Sequence, residues 1–496
     1  MRVRYISDWW GLGIIFIATL LRVYRLETLT EFLGDQGRTM LIMRDFVTHG
    51  IVPIAGPTTL TGHHLGPIFY YLLLPGYLLS GEPVGVSLWV ALLGVVAVFL
   101  IYKTVHQMFG LGSARVIALL WAVSPALVRA DRIIWEPNLV PLFSALFVFL
   151  LYKAYTLWRH SIWFSVGVSV GILVQLHYPN IFFVGLVGLV FLGSFIIKKR
   201  LFWEILTAGL WLIAGLGLTL VPFLWHQYTV GFKDLIGVAT VIKEGVGVTL
   251  GKRATISVSL DYAFRVLGRA VPWMSREPAA LLLGLWSLFV CFRPTLKNIF
   301  FSVWFFGGIA AMLRYSGVVH DHYLFFIVPV PFLMIASIVQ STKPGVWRGT
   351  LYGIVIMVSF LQLLRTDIFS VGQSDIPRVR NAVAQIKDVV NENDFSFTLV
   401  NTVSYSDLHY RYYMEAMDLQ PMPAVAGGYK RFIVACDRAD CPTVGELTQR
   451  EQLPILCYEE HCKQYYPSIP LSSQWAYSKD IPVANNLGRL YIFDAR

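Results

Sequence analysis

The stretch EFLGDQGRTMLIMRDFVTHG, Glu31 to Gly50, sets charged side chains directly after the first long apolar run of the chain. Gly34 and Asp35 precede a pattern in which Met40, Met43 and Val47, joined by Ile42 and Phe46, share one side of a helix. An Asp at such a start accepts orphan backbone N–H groups, so one expectation is that Asp35 caps this helix while the apolar stripe rests on a membrane surface. Another is that the carboxylate does chemistry where an external substrate meets a lipid-borne one. The surroundings of the stretch separate the two.

The 496 residues are 56% hydrophobic and only 14% charged, the composition of a polytopic membrane protein rather than a soluble one. The formal charge of +10 does not indicate nucleic-acid binding, because basic residues in such chains mark cytoplasmic loops. The opening MRVRYISDWWGLGIIFIATLLRVYRL lacks a small-residue cleavage site and reads as a retained helix. Runs approaching the ~20 apolar residues of a span lie near 9–24, 84–103, 114–130, 138–157, 161–177, 180–197, 203–226, 279–292, 299–315, 321–339 and 346–364. A further run, 65–80, is shorter and carries Pro67 and Pro75.

If 65–80 lies on the surface and Arg2 and Arg4 are cytoplasmic, the basic loops share one side. These are Lys103 with Arg115, Lys153 with Arg159, Lys198–Lys199–Arg200, Arg293 with Lys297, and Lys343 with Arg348. If 65–80 crossed instead, those loops would face outward, against the positive-inside rule. The expectation is therefore an α-helical multi-pass protein of the plasma membrane with about eleven spans over residues 1–365. Its N-terminus would be cytoplasmic and residues 25–83 and 228–275 would form large external loops.

From about 366 the composition becomes that of a soluble protein. IPRVRNAVAQIKDVVN and SYSDLHYRYYMEAM read as helices, and FSFTLVN, RFIVAC and GRLYIFDA as strands, giving an extracytoplasmic α/β domain over 366–496. Cys291 sits in an apolar run, the expected place of a small buried hydrophobe. Cys436, Cys441, Cys457 and Cys462 form two C-x4-C pairs in the external domain and are disulfide candidates, with three pairings open.

The remaining polar clusters fall on the external side under this topology. GPTTLTGHHLGPIFYY brings His63 and His64 to the surface helix. RADRIIWEPN places Glu136 at the mouth of a span, after Asp131 and Arg132, which could pair with each other at the surface. RYSGVVHDHYLFFIVPVPF places Arg314, His320, Asp321, His322 and Tyr323 at another mouth, and His177 and Tyr178 mark a third with no chemistry assigned. Ionisable groups gathered at one membrane face line a pathway or a site.

At these residues the chain resembles the C-type (GT-C) membrane glycosyltransferases, and within them the family-39 branch of protein O-mannosyltransferases and lipid A aminoarabinose transferases. Those enzymes carry an Asp-Glu pair in the first external loop, followed by Arg and an amphipathic helix. Here it stands as Asp35-Gln36-Gly37-Arg38. Their proline-led surface helix is similar to HHLGPIFYY, their acid-Pro pair to IIWEPN, and their late Tyr-x-x-x-Pro-x-x-Pro-like element to HYLFFIVPVPF. The resemblance covers roughly residues 9–340 and rests on the order and sidedness of the set. Gln36 departs from it by replacing the second acid, and a single proline replaces Pro-Pro. The C-terminal domain carries no motif of either relative.

The resemblance implies a hexosyl- or pentosyltransferase. Its donor would be a polyprenyl-phosphate-linked sugar and its acceptor a hydroxyl of a protein, lipid or glycan, outside the membrane and with inversion. Asp35 would be the general base, Arg38 would orient it or bind substrate, and Glu136 would be a supporting or acceptor-binding carboxylate. Arg314, His320, His322 and Tyr323 would meet the donor phosphate, and His63 and His64 phosphate or a metal. Asp35, His63, His64 and Glu136 together offer oxygen and nitrogen donors to a divalent metal, against which Gln36 argues. No other cofactor is read from the sequence. The rivals are a transporter or flippase, which would place ionisable groups near the midplane in repeated halves, a polymerase or ligase using a lipid-diphosphate donor, and a membrane scaffold without activity.

Overall fold

Apolar runs become helices in lipid because only local hydrogen bonds can satisfy the backbone there. The chain, a computed structural model, describes residues 8–59, 62–244, 256–270, 276–315, 318–390, 394–400, 402, 404, 406–422, 428–438, 440–449, 475–483 and 488–496. It opens with α1 (Trp9–Val23), α2 (Leu26–Leu29), α3 (Gly34–Thr48) and α4 (Ile68–Ser80). The bundle continues through α5 (Pro83–Phe109), α6 (Leu111–Ala122), α7 (Pro125–Ala130), α8 (Val140–Leu157), α9 (His160–Leu176), α10 (Phe182–Ile196) and α11 (Phe202–Thr229). After α12 (Lys233–Glu244) and α13 (Ile256–Ala270) come α14 (Arg276–Phe292), α15 (Leu296–Leu313), α16 (Pro329–Ser341) and α17 (Val346–Leu363). Short 3-10 turns at Glu136–Leu139, Tyr178–Ile181 and Asp321–Ile327 lead into α8, α10 and α16.

The protein is a multi-pass membrane protein. Among the described residues, seven segments are long and apolar enough to cross: Pro83–Phe109, Glu136–Leu157, Tyr178–Ile196, Phe202–Thr229, Leu296–Leu313, Asp321–Ser341 and Val346–Phe369. The other four expected spans correspond to the shorter apolar helices Trp9–Val23, Leu111–Ala122, His160–Leu176 and Leu282–Phe292. Pro125 explains one of them, since it starts α7 and breaks the run after α6. α4 has 13 residues. It is therefore only about 20 Å long against a hydrocarbon core of about 30 Å.

Basic side chains gather at one end of the bundle. Arg115 pairs with Asp8 at 2.7 Å, Lys297 Nζ donates to the Met108 carbonyl at 2.9 Å, and Lys198 lies 3.9 Å over the Tyr155 ring. The 3-10 turns and the C-terminal domain meet the opposite end. The expected Asp131–Arg132 surface pair does not form, because both residues are buried. Arg22 Nε donates to Asp131 Oδ2 at 2.8 Å, and Arg132 pairs with Asp367. A buried charge left alone is costly, and each of these finds its partner on another element.

The C-terminal domain packs α18 (Asp375–Lys387) and α19 (Leu408–Ala416) with a four-stranded sheet. Its strands are β1 (Phe395–Val400), β2 (Arg431–Cys436), β3 (Trp475–Val483) and β4 (Gly488–Ala495), in the order β1-β2-β4-β3. β1 and β2 run parallel, and β4 is antiparallel to both β2 and β3. β3 was not legible in the sequence: it is a largely exposed edge strand with Pro482 and a bulge between Tyr477 and Lys479, so it lacks an apolar alternation. A disulfide joins Cys436 to Cys441, which leads into α20 (Val444–Thr448). Cys457 and Cys462 lie outside the described residues. Cys291 is exposed on α14 and carries no disulfide, rather than being buried as expected.

Candidate active site

Gly34 to Gly37 form the first turn of α3. Leu33 stands at the cap position, so Asp35 is not the cap that one expectation made it. Gln36 Oε1 accepts the Leu33 N–H at 2.9 Å, and Gln36 is buried. The residue standing where the resemblance calls for a second acid thus closes the helix end. Asp35 Oδ1 accepts from Arg38 Nη2 at 2.7 Å, one turn on, and both side chains keep partial exposure. The helix N-terminus favours a carboxylate in this first turn.

Two more acids stand near. Glu136 starts its 3-10 turn, is buried, and feels both the Asp35 carboxylate and the Arg38 guanidinium. Glu31 lies 3.5 Å from Arg129. Burial, opposed by Arg129 and reinforced by Asp375 and Asp35, pushes the Glu31 carboxyl above its ordinary value.

Trp135 links this acidic end to a cluster of imidazoles. Its ring lies 4.6 Å from His322, centroid to centroid. His177 approaches His322 at 5.3 Å and Tyr323 at 4.8 Å, and His320 stacks on His322 at 5.6 Å.

α13 adds two cations that sequence reading left inside the second large loop. Arg265 Nε donates to Asp321 Oδ1 at 2.6 Å. Arg269 Nη2 lies 3.5 Å from Asp321 Oδ2, with its guanidinium 4.5 Å over the Phe325 ring. The signal that could have found them is the amphipathic run ISVSLDYAFRVLGRA, with its arginines four apart on one face. Arg314, favoured from the sequence, ends α15 and is exposed.

His63 and His64 meet α12 and α11. The His63 ring fills the space where a Gly237 Cβ would stand, 2.0 Å from its Cε1. The His64 N–H donates to Asp234 Oδ1 at 3.1 Å, and Tyr178 donates to the His64 carbonyl. Gln227 Nε2 donates to Asp234 Oδ2 at 2.7 Å, and His226 Nε2 lies 3.1 Å from the same oxygen. One donor atom each from His64, His226 and Asp234 fall within 4.8 Å of one another, the group able to hold a metal among the described residues. It differs from the set Asp35, His63, His64 and Glu136 because α12 brings Asp234 to His64. The hydrogen bonds satisfy Asp234 by themselves.

The family model described as dolichyl-phosphate-mannose-protein mannosyltransferase matches residues 64–226, about a third of the chain. No curated protein sequence matches. The crystal structure of ArnT from Cupriavidus metallidurans bound to undecaprenyl phosphate superposes with TM-score 0.64 at 13% identity, over 97% of this chain and 98% of that one. Its apo state gives 0.62 at 12% identity, over 97% of each chain. The apo oligosaccharyltransferase of Archaeoglobus fulgidus reaches 0.49 at 11% identity, over 86% of this chain and 70% of that one, too distant to weigh. At such identities the likeness is one of fold. The chain has the fold of the C-type membrane glycosyltransferases, its small C-terminal α/β domain included.

Proposed function

We propose that the chain is a membrane glycosyltransferase that moves a sugar from a polyprenyl-phosphate donor to an acceptor hydroxyl, with Asp35 as the general base. The observation that carries this reading is the division of charge about Trp135. Asp35 and Glu136 lie within each other's field, Trp135 precedes Glu136 in the chain, and the Trp135 ring meets His322, which neighbours His320 and the cations Arg265 and Arg269. Such a reaction needs a base for the acceptor proton and donors for the leaving phosphate, held a sugar's width apart.

The steps follow from those groups. The acceptor oxygen attacks the anomeric carbon as its proton passes to an Asp35 oxygen. The bond between that carbon and the phosphate oxygen breaks, and the phosphate leaves with the electron pair. A single displacement inverts the configuration. Arg265 and Arg269, with His320 and His322, stabilise the charge that grows on the phosphate. Arg38 holds the Asp35 carboxylate in place, and Glu136 binds the acceptor beside it. The match to the mannosyltransferase family model and the fold shared with an ArnT bound to undecaprenyl phosphate support the donor class.

The reading also sets the topology. Residues 1–365 form the membrane part, the site opens outside the cytoplasm, and residues 366–496 lie on the same side. Asp35→Asn removes the base while keeping the side-chain shape, so sugar transfer in membranes should fall to background with insertion intact. Full transfer by that variant overturns the assignment. A deletion strain should accumulate a polyprenyl-phosphate-linked sugar in its lipid extract.

A further inference from the structure

The start of α3 and the two residues before it are held in part by groups from outside their own sequence. A helix start leaves N–H groups without intrahelical partners, and the usual remedy is a Ser, Thr, Asp or Asn at the cap. Here Leu33 stands at that position. The Phe32 N–H donates to Asp375 Oδ2 at 3.2 Å and the Gly34 N–H to Ser404 Oγ at 2.9 Å. The Leu33 N–H between them is served locally by Gln36. Two of these three acceptors therefore come from the C-terminal domain, 343 and 370 residues along the chain.

The contact is close as well as polar. A Cβ on Gly37 would stand 2.1 Å from the His409 nitrogen and 2.3 Å from the Leu408 carbonyl carbon. A Cβ on Gly34 would stand 2.1 Å from Ser406 Oγ. Gly37 lets α19 lie against this turn, and Gly34 admits Ser404 and Ser406 just before α19. Phe32 is buried beside them, its ring edge-on to His409, Tyr412 and Tyr413 at 5.8–6.4 Å.

Behind these contacts lies a buried polar hub. The Asp437 carboxylate accepts from the Tyr410 hydroxyl at 2.9 Å and from Thr402 Oγ1 at 3.2 Å. Arg378 Nε lies 3.2 Å from it and His409 Nε2 3.3 Å. Arg378 also pairs with Asp375 at 3.0 Å, so the hub fixes the acceptor of the Phe32 N–H. Asp437 follows Cys436, whose disulfide to Cys441 closes the turn that carries it.

We infer that the C-terminal domain caps the helix bearing the base and so sets where the Asp35 and Arg38 side chains stand. Asp375 and Ser404 are positioning residues. They act through the backbone of residues 32–34 and touch no reacting atom. The inference rests on the proposed role of Asp35 and gives the C-terminal domain a part in the same reaction.

The test uses the full chain in proteoliposomes with a polyprenyl-phosphate-linked sugar, comparing Ser404→Ala, Asp375→Ala, Asp375→Asn and Asp35→Asn. Loss of either acceptor should lower kcat about 10- to 100-fold, the scale of small misplacements in an active site, with donor KM within about twofold. Asp375→Asn keeps an acceptor oxygen and should recover most of the rate. Hydrogen exchange of the peptide spanning 31–40 should speed up in Ser404→Ala while the melting temperature stays near the parent's. If both alanine variants keep the parental kcat while Asp35→Asn is inactive, the positioning role is wrong and the proposed function stands. If Asp35→Asn keeps its activity, the proposed function itself fails. If Asp375→Asn is as slow as Asp375→Ala, the loss is not one of capping and the inference falls.

Discussion

Replacing Gly37 by alanine adds one methyl group to the first turn of α3, and two expectations about it differ in sign. Helix propensity alone favours Ala over Gly by about 1 kcal/mol, so an isolated helix would gain. In the folded chain the new Cβ would stand 2.1 Å from the His409 nitrogen and 2.3 Å from the Leu408 carbonyl carbon. Both are backbone atoms, which cannot swing aside as a side chain can. Ordinary contact begins at 3.4 Å, so α3 and α19 must part by about 1.3 Å. Overpacking of this kind costs about 1–3 kcal/mol, as much as the propensity gain or more. Asp35 lies two residues before Gly37 on the same turn, and a misplacement near 1 Å is worth about 100-fold in rate. Purified Gly37→Ala should therefore show a lower melting temperature and a kcat reduced about 100-fold at saturating donor, with donor KM little changed. A variant that melts higher and keeps its kcat would overturn this expectation, since the domain would then yield without moving the base.

Arg265→Ala combined with Arg269→Ala should lower kcat by about 100- to 1,000-fold, as removal of donors to a developing anion does elsewhere, while Arg314→Ala changes it little. Single-turnover transfer rates check this pair of outcomes. Glu31 gives a pH prediction. Its folded-state value is raised, chiefly by burial, so its contribution to stability is full below the ordinary carboxyl value and is lost as pH rises through the raised one. Glu31→Gln should thus melt above the parent at pH 8 and match it near pH 4. A cysteine placed at Thr59 should react with an impermeant thiol reagent in intact cells, and labelling only after lysis would reverse the proposed orientation.

How far the sequence could be read is best seen at particular residues. His320, His322 and Tyr323 were legible because they share one short polar segment at the mouth of a span, and they do cluster. Arg265 and Arg269 were not, because a loop of mixed composition gave no reason to aim one helix face at Asp321. His64 was read as a contact for phosphate or a metal, and the donors that join it, His226 and Asp234, come from 162 and 170 residues further along. Asp131 and Arg132 show the limit in the other direction: adjacency suggested a pair, and burial in the bundle gave each a distant partner.

Asp35 stands out through the family resemblance, whereas the membrane class, the apolar spans and the change to a soluble composition near 366 are read from the residues alone. Those features depend on local composition and periodicity, which any stretch of chain displays without its partners. What Gly34, Gln36 and Gly37 are for emerges only from their contacts in the fold. Gln36 closes the helix end, and the two glycines admit a domain that begins about 330 residues later. Close approach of two backbones leaves no trace in composition beyond a missing side chain, and the reason for that absence stands on the other partner.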